Sequence, residues 1–150
     1  MEVTLTLALP RDQLSVPLAR RILKRSLDTL GIDDMTVADI EVALTEACTN
    51  VLDHAHGDDD YTVSAGIEGR LCIIEVIDRG GGFDGSQHGL GDAPQAAEEG
   101  RGVQLMRALV DRLEFQNRPT EGTVVHLEKH LTWDANAPIA KLEGSGSAPR

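Results

Sequence analysis

Basic residues are scarce in this sequence. Lysine and arginine number 14 against 25 aspartates and glutamates, which gives a formal net charge of -11 at pH 7 and an isoelectric point near 4.7. Phosphate backbones are bound by basic surfaces, so this balance argues against nucleic acid as the main ligand. We therefore expect no direct nucleic-acid partner.

Long apolar runs and cysteines are also few. No apolar run approaches the ~20 residues that a membrane-spanning helix needs, and the first residues, MEVTLTLALPRD, lack the basic start of a signal peptide. We therefore expect no membrane association and no signal peptide. Cys48 and Cys72 sit in apolar segments and form no CxxC pair. They are predicted to be buried, reduced thiols of a cytoplasmic protein.

The 150 residues, 41% of them hydrophobic, suffice for one globular domain. Alternating and helical apolar patterns predict the order β-α-α-β-β-loop-α-β-β. This order favours an α+β, two-layer sandwich in which a mostly antiparallel mixed sheet carries its helices on one face. We place the domain at 1–133 and a flexible C-terminal tail at 134–150, where the chain drifts into GSGSAPR.

The second predicted helix, at 36–56, carries a polar stripe. Glu46, Asn50 and His54 are spaced by four residues and run beside the apolar face, not opposite it. A stripe at this boundary is positioned to line a cleft. Taken alone, it is equally typical of hydrogen bonding at the edge of a core.

Two glycine-rich stretches follow. DRGGGFD (78–84) places Asp78 at the end of an apolar strand, where a carboxylate can accept a hydrogen bond from an exocyclic amine while the glycines let a flat ring approach the backbone. EGRGVQLM (99–106) precedes a helix whose free N–H groups can bind an anion. A tight turn and a flexible helix start are the alternative interpretations. Residues 80–102 hold eight of the fifteen glycines, which predicts a long functional loop.

Together, in this order, the motifs resemble a known family. EACTN looks like the ExxxN box of the Bergerat ATP-binding fold, which gyrase, heat-shock chaperones, histidine kinases and mismatch-repair ATPases share. DRGGGF looks like its DxGxGF box, GRGVQLM like its GxGL box, and EGTVVHLEK like its closing strand. Val103 replaces the usual leucine of the last box. The resemblance implies a histidine-kinase-like ATPase fold over about residues 2–130.

The resemblance also implies the residue roles. Glu46 would be the general base, and Asn50 would hold Mg²⁺ on the triphosphate of ATP. Asp78 would take the adenine amino group with Thr123 assisting, in a pocket shaped by glycines. The expected nucleotide-binding positions are Asn50, His54, Asp78, Gly80, Gly82, Gly100, Arg101, Gly102, Val103 and Thr123.

Within the superfamily, EACTNVLDHAH resembles most closely the bacterial anti-sigma factors that are also serine-protein kinases, which often read E-A-x-x-N-x-x-x-H. The first histidine is His54, so no phosphoacceptor histidine precedes Asn50. The branch implies Mg-ATP binding, phosphorylation of an anti-anti-sigma (STAS-type) partner, sequestration of a sigma factor and a homodimer. A non-catalytic nucleotide-dependent partner-switching module is the alternative, and a freestanding ATPase is a third hypothesis. Glu46 favours the kinase, because a pure binder needs no base there.

Overall fold

The computed structural model describes residues 2–54, 60–78, 100–120 and 122–146; the side chains of His54, Ser145 and Gly146 fall outside that description. Within these ranges the predicted order of elements is confirmed. The strands are β1 Glu2–Leu9, β2 Tyr61–Glu68, β3 Leu71–Asp78, β4 Arg112–Arg118 and β5 Gly122–His130. The helices are α1 Ser15–Leu30, α2 Asp34–His54, α3 Arg101–Leu109 and α4 Pro138–Gly146.

The strands form one sheet in the order β1-β2-β3-β5-β4, and each neighbouring pair is antiparallel. The sequence predicts a mostly antiparallel mixed sheet, in which some strands would pair in parallel. Among the described strands no parallel pair occurs. The apolar strand β3 lies at the centre, as its hydrophobic run predicts, and pairs with β2 on one edge and β5 on the other. The α+β architecture is confirmed.

One face of the sheet packs against the helices and forms the core. Alternate residues of β3 point to this face, and Cys72, Ile74 and Val76 are all at most 2% exposed. Helix α2 supplies the matching stripe, whose buried members are Ile40, Leu44, Ala47, Cys48 and Val51. Both cysteines are free and buried, as the sequence predicts. The same pleat places Asp78 on the helix side at the end of β3.

The chain reverses direction after α1 at a left-handed glycine. Gly31 has φ of 85°, and its N–H donates to the carbonyl oxygens of Leu27 and Asp28. A Cβ at this position would lie 2.7 Å from both Ala137 Cβ and Pro138 Cδ. Glycine is therefore required twice here, by the backbone conformation and by the approach of α4.

The C-terminal region differs from the predicted flexible tail at 134–150. Residues 138–146 form α4, in which Ile139 is 0% exposed, and Ala137 just before it is 7% exposed. Just before this region, the Asp33 N–H donates to the Thr132 carbonyl at 3.0 Å, which ties the end of the predicted domain to the start of α2. The glycine- and serine-rich composition of this region predicts no regular structure. A single buried isoleucine is nevertheless enough to dock a short helix against the domain. Residues 147–150 lie outside the described chain.

Candidate functional site

The sheet ends in a buried polar pair where the adenine-reading residues were predicted. Asp78 on β3 lies directly opposite Thr123 on β5 in the strand register. Their exposed fractions are 0% and 3%. Directly paired residues of adjacent strands point to the same face, so both side chains lie on the helix side of the sheet. Strand pairing thus brings together an acid and a hydroxyl that are far apart in sequence.

Arg11 pairs with the buried acid. It lies in the loop between β1 and α1, and its guanidinium Nη2 donates a hydrogen bond to Asp78 Oδ1 as part of an ion pair. The Arg11 side chain is only 13% exposed. A buried carboxylate is costly unless a cation or hydrogen-bond donors compensate it, and Arg11 supplies such a cation.

Thr123 is held from the other side. Its Oγ1 donates to Asn117 Oδ1 at 3.2 Å, and the two residues are register partners on β5 and β4. Neither Asn117 nor Arg11 was singled out from the sequence. Asn117 meets Thr123 only because of the strand register, and Arg11 is 67 residues from Asp78 in the sequence. No local sequence pattern therefore identifies either residue.

Tyr61 lies beside Asp78 at this end of the sheet. It is the only tyrosine of the chain, pairs with Asp78 across β2 and β3, and is 0% exposed. Its hydroxyl shares a hydrogen bond of 2.5 Å with Ser15 Oγ, which also donates to the Asp12 carbonyl at 2.7 Å. Burial raises the pKa of Tyr61 well above its usual value. The hydroxyl network therefore stays neutral and anchors the Arg11 loop to the sheet.

Helix α2 presents the second predicted group. Asn50 is partly buried, and its Oδ1 is a buried oxygen for which the described residues provide no hydrogen-bond partner. An amide oxygen without a donor costs free energy in a folded protein unless something else occupies it. Mg²⁺ prefers a hard oxygen ligand of this kind together with phosphate oxygens and water. The amide oxygen of Asn50 therefore fits the predicted Mg²⁺ ion.

Glu46 lies one turn before Asn50 and faces the start of α3. A Cβ added to Gly102 would collide with Glu46 Oε1, while Glu46 Cδ and Cβ would lie at 3.5 and 3.8 Å. The predicted general base and the glycine of the predicted phosphate-binding segment are therefore in direct contact. Only a residue without a side chain allows this approach at position 102.

The first turn of α3 has the form of an anion site. The helix begins after Gly100, which is extended (φ -83°, ψ -174°) and offers no side-chain cap. Without a side-chain cap among the described residues, its first N–H groups suit an anionic ligand, and Arg101 is exposed beside them. Val103 is predicted to bind nucleotide, but its side chain is 3% exposed and packs in the core. Its backbone N–H is therefore the group that could contact a nucleotide.

Some predicted positions lie outside the described residues. These are Gly80 and Gly82, together with the side chain of His54. Within the described part of the chain, no group of three or more His, Cys, Asp or Glu is arranged to hold a metal. In the same ranges, none of the helices combines the length and the apolar character needed to cross a membrane.

A family model described as the histidine kinase-like ATPase domain matches residues 9–129. The chain belongs to this family. The predicted resemblance is therefore confirmed, and with it an ATP-binding domain of the histidine-kinase-like type. The match contains the ExxxN stretch of α2, the acid at the end of β3 and the glycines that begin α3. Their individual roles remain predictions.

Characterised relatives point to one branch of the family. The chain is 30% identical to the serine-protein kinase RsbW of Bacillus velezensis over 135 residues, which cover 82% of both proteins. It is 33% identical to the anti-sigma F factor of Thermoanaerobacter sp. (strain X514) over 104 residues, 65% of this chain and 73% of that protein.

A solved structure supports the fold. The structure of the RsbU and RsbW domains of Rv1364c from Mycobacterium tuberculosis is similar with a TM-score of 0.65 and 23% identity, covering 86% of this chain and 32% of that one. At this identity the similarity shows the fold alone.

Proposed function

We propose that this chain is an anti-sigma regulatory factor with serine-protein kinase activity. It would bind Mg-ATP, phosphorylate a serine of an anti-anti-sigma partner and sequester a sigma factor in the cytoplasm, as a homodimer. The observation that carries the proposal is the arrangement on α2: a buried amide oxygen without a described partner on Asn50, one turn after a glutamate that contacts the start of α3. The names of the relatives supply the branch.

Asp78 and Thr123, the buried pair at the end of the sheet, would recognise adenine. An ionised carboxylate only accepts hydrogen bonds, so Asp78 suits the exocyclic amine of adenine, and Thr123 beside it can assist through a water molecule. Guanine presents a carbonyl at that position. Acceptor would then face acceptor, at a cost of about 1–3 kcal/mol.

Phosphate binding falls to the start of α3 and to Asn50. The free N–H groups after Gly100 suit an anionic oxygen, and the exposed Arg101 guanidinium can meet the terminal phosphate. Asn50 Oδ1 would be the protein ligand of Mg²⁺. When bound, Mg²⁺ supplies charge neutralisation across the phosphate oxygens.

Glu46 would act as the general base in the chemical step. Its carboxylate would take the proton of the partner's serine hydroxyl as that oxygen bonds to the terminal phosphorus and the bond from phosphorus to the ADP oxygen breaks. The contact of Glu46 with Gly102 supports this role, because Gly102 belongs to the segment proposed to hold the phosphates. Attack by water in place of serine would make the chain an ATPase.

Partner binding has a candidate surface on α1. A surface depression of about 520 Å³ on this helix is lined by Arg21, Lys24, Arg25, Asp28 and Thr29. Three of the five are basic, in a chain of net charge -11, and one of them, Lys24, pairs with Asp28 at 2.7 Å. Such a local concentration of positive charge can steer an acidic partner surface toward the helix.

The decisive experiment combines radiolabelled ATP, an anti-anti-sigma partner and three variants. Glu46→Gln should bind Mg-ATP normally and lose phosphotransfer by ~10²–10⁴-fold, the usual contribution of a positioned base. Asn50→Ala should lose both binding and transfer, since it removes the proposed Mg²⁺ ligand. The matched control is Glu68→Gln, an exposed glutamate at the far end of β2 from Tyr61.

The outcome separates the function classes. If Glu46→Gln transfers phosphate at the wild-type rate, the kinase mechanism is wrong and the non-catalytic partner-switching module is the better conclusion. If label is released as inorganic phosphate with no partner labelled, the chain is an ATPase.

A further inference from the structure

Arg11 belongs to a fixed part of the loop between β1 and α1. The Asp12 N–H donates to the Pro10 carbonyl at 2.8 Å, and the Leu14 N–H donates to Asp12 Oδ1 at 2.8 Å. The Ser15 N–H donates to the Asp12 carbonyl at 2.9 Å. These bonds hold the loop in a compact turn, so the Arg11 side chain is directed at Asp78 by a rigid backbone.

The charge of Asp78 decides which purine it can recognise. Ionised, the carboxyl group accepts hydrogen bonds and suits the amine of adenine; protonated, it carries an O–H that can donate to the carbonyl of guanine. Asp78 is 0% exposed, and a buried carboxylate is costly unless a cation or hydrogen-bond donors compensate it. Arg11 supplies that cation as an ion pair with Asp78.

We propose that Arg11 is a specificity-determining positioning residue. By pairing with the buried carboxylate of Asp78 and orienting it at the end of β3, Arg11 gives the site its preference for adenine over guanine. The proposal rests on the proposed function, in which Asp78 reads the base.

The test measures binding of Mg-ADP and Mg-GDP by calorimetry. The wild type should prefer ADP. In Arg11→Met the ratio of ADP affinity to GDP affinity should fall by about tenfold or more. Arg11→Lys should retain most of the preference, because the positive charge remains. Arg118→Met, which removes an arginine paired with Glu75 on the other face of the sheet, is the matched control.

Each outcome decides a separate point. An Arg11→Met variant with an unchanged ratio, or with tighter ADP binding, overturns the role proposed for Arg11; tighter binding would mean that Arg11 blocks the site. If the wild type does not prefer ADP and Asp78→Asn changes nothing, the adenine role of Asp78 fails instead. If Arg11→Met does not fold, Arg11→Gln and Arg11→Lys give the same comparison, with the preference expected to survive only in the lysine variant.

Discussion

Gly102→Ala should separate stability from catalysis, because the added methyl group meets a single atom. Glu46 Oε1 is the atom that a Cβ would collide with, whereas Glu46 Cδ at 3.5 Å and Cβ at 3.8 Å are at ordinary contact distance. The backbones of α2 and α3 therefore need not move. The carboxylate of Glu46 has to turn away, and with it the proposed base leaves its position.

The stability change is expected to be small. Moving Glu46 off its preferred rotamer costs about 0.5–1.5 kcal/mol, and alanine gains up to about 1 kcal/mol over glycine within a helix. The two effects largely offset each other, so the melting temperature should shift by about 4 °C or less. Phosphotransfer to the partner should fall by at least about tenfold and by no more than the ~10²–10⁴-fold that a positioned base contributes.

Calorimetric melting and a radiolabelled transfer assay measure the two effects. Gly144→Ala in α4 is the control, because a Cβ there would have no atom of the described chain within 4 Å, apart from its own helix and neighbours. It should leave transfer unchanged. The double variant Gly102→Ala/Glu46→Ala should be no slower than Glu46→Ala, since both changes remove the same group. Wild-type transfer by Gly102→Ala would refute the reasoning.

Two further predictions concern the C-terminal helix and the outer face of the sheet. Ile139→Ala should lower the free energy of unfolding by about 2–5 kcal/mol in a denaturant titration, because Ile139 is fully buried; a loss near zero would mean that α4 does not dock. Burial alone would lower the pKa of His126, but its hydrogen bonds to Glu128 and Glu75 outweigh burial and raise it. The stabilising effect of His126 should therefore be complete below about pH 6.5 and be lost as pH rises through the folded-state pKa. Unfolding of His126→Gln and wild type at pH 6 and pH 9 checks this, and an equal difference at both values would contradict it.

The local patterns predicted most of the fold. Alternation identified β1, and helical spacing identified the buried face of α2, because each signal depends on residues only two to four positions apart. The order of elements and the glycine-rich segments were enough to recognise the family. The same local logic failed at residues 138–146, where polar and small residues surround the single buried Ile139.

The amino-acid sequence by itself determined which residue types are available to the site: Glu46 and Asn50 one turn apart on a helix, an acid at the end of a central strand, and glycines at the start of α3. The tertiary structure decided which of them meet. Strand register put Thr123 opposite Asp78, and helix packing set Glu46 against Gly102. The pairing of Arg11 with Asp78 joins positions 67 residues apart. Such contacts depend on the whole fold, because periodicity records the face on which a side chain lies and not the residue that it will find there.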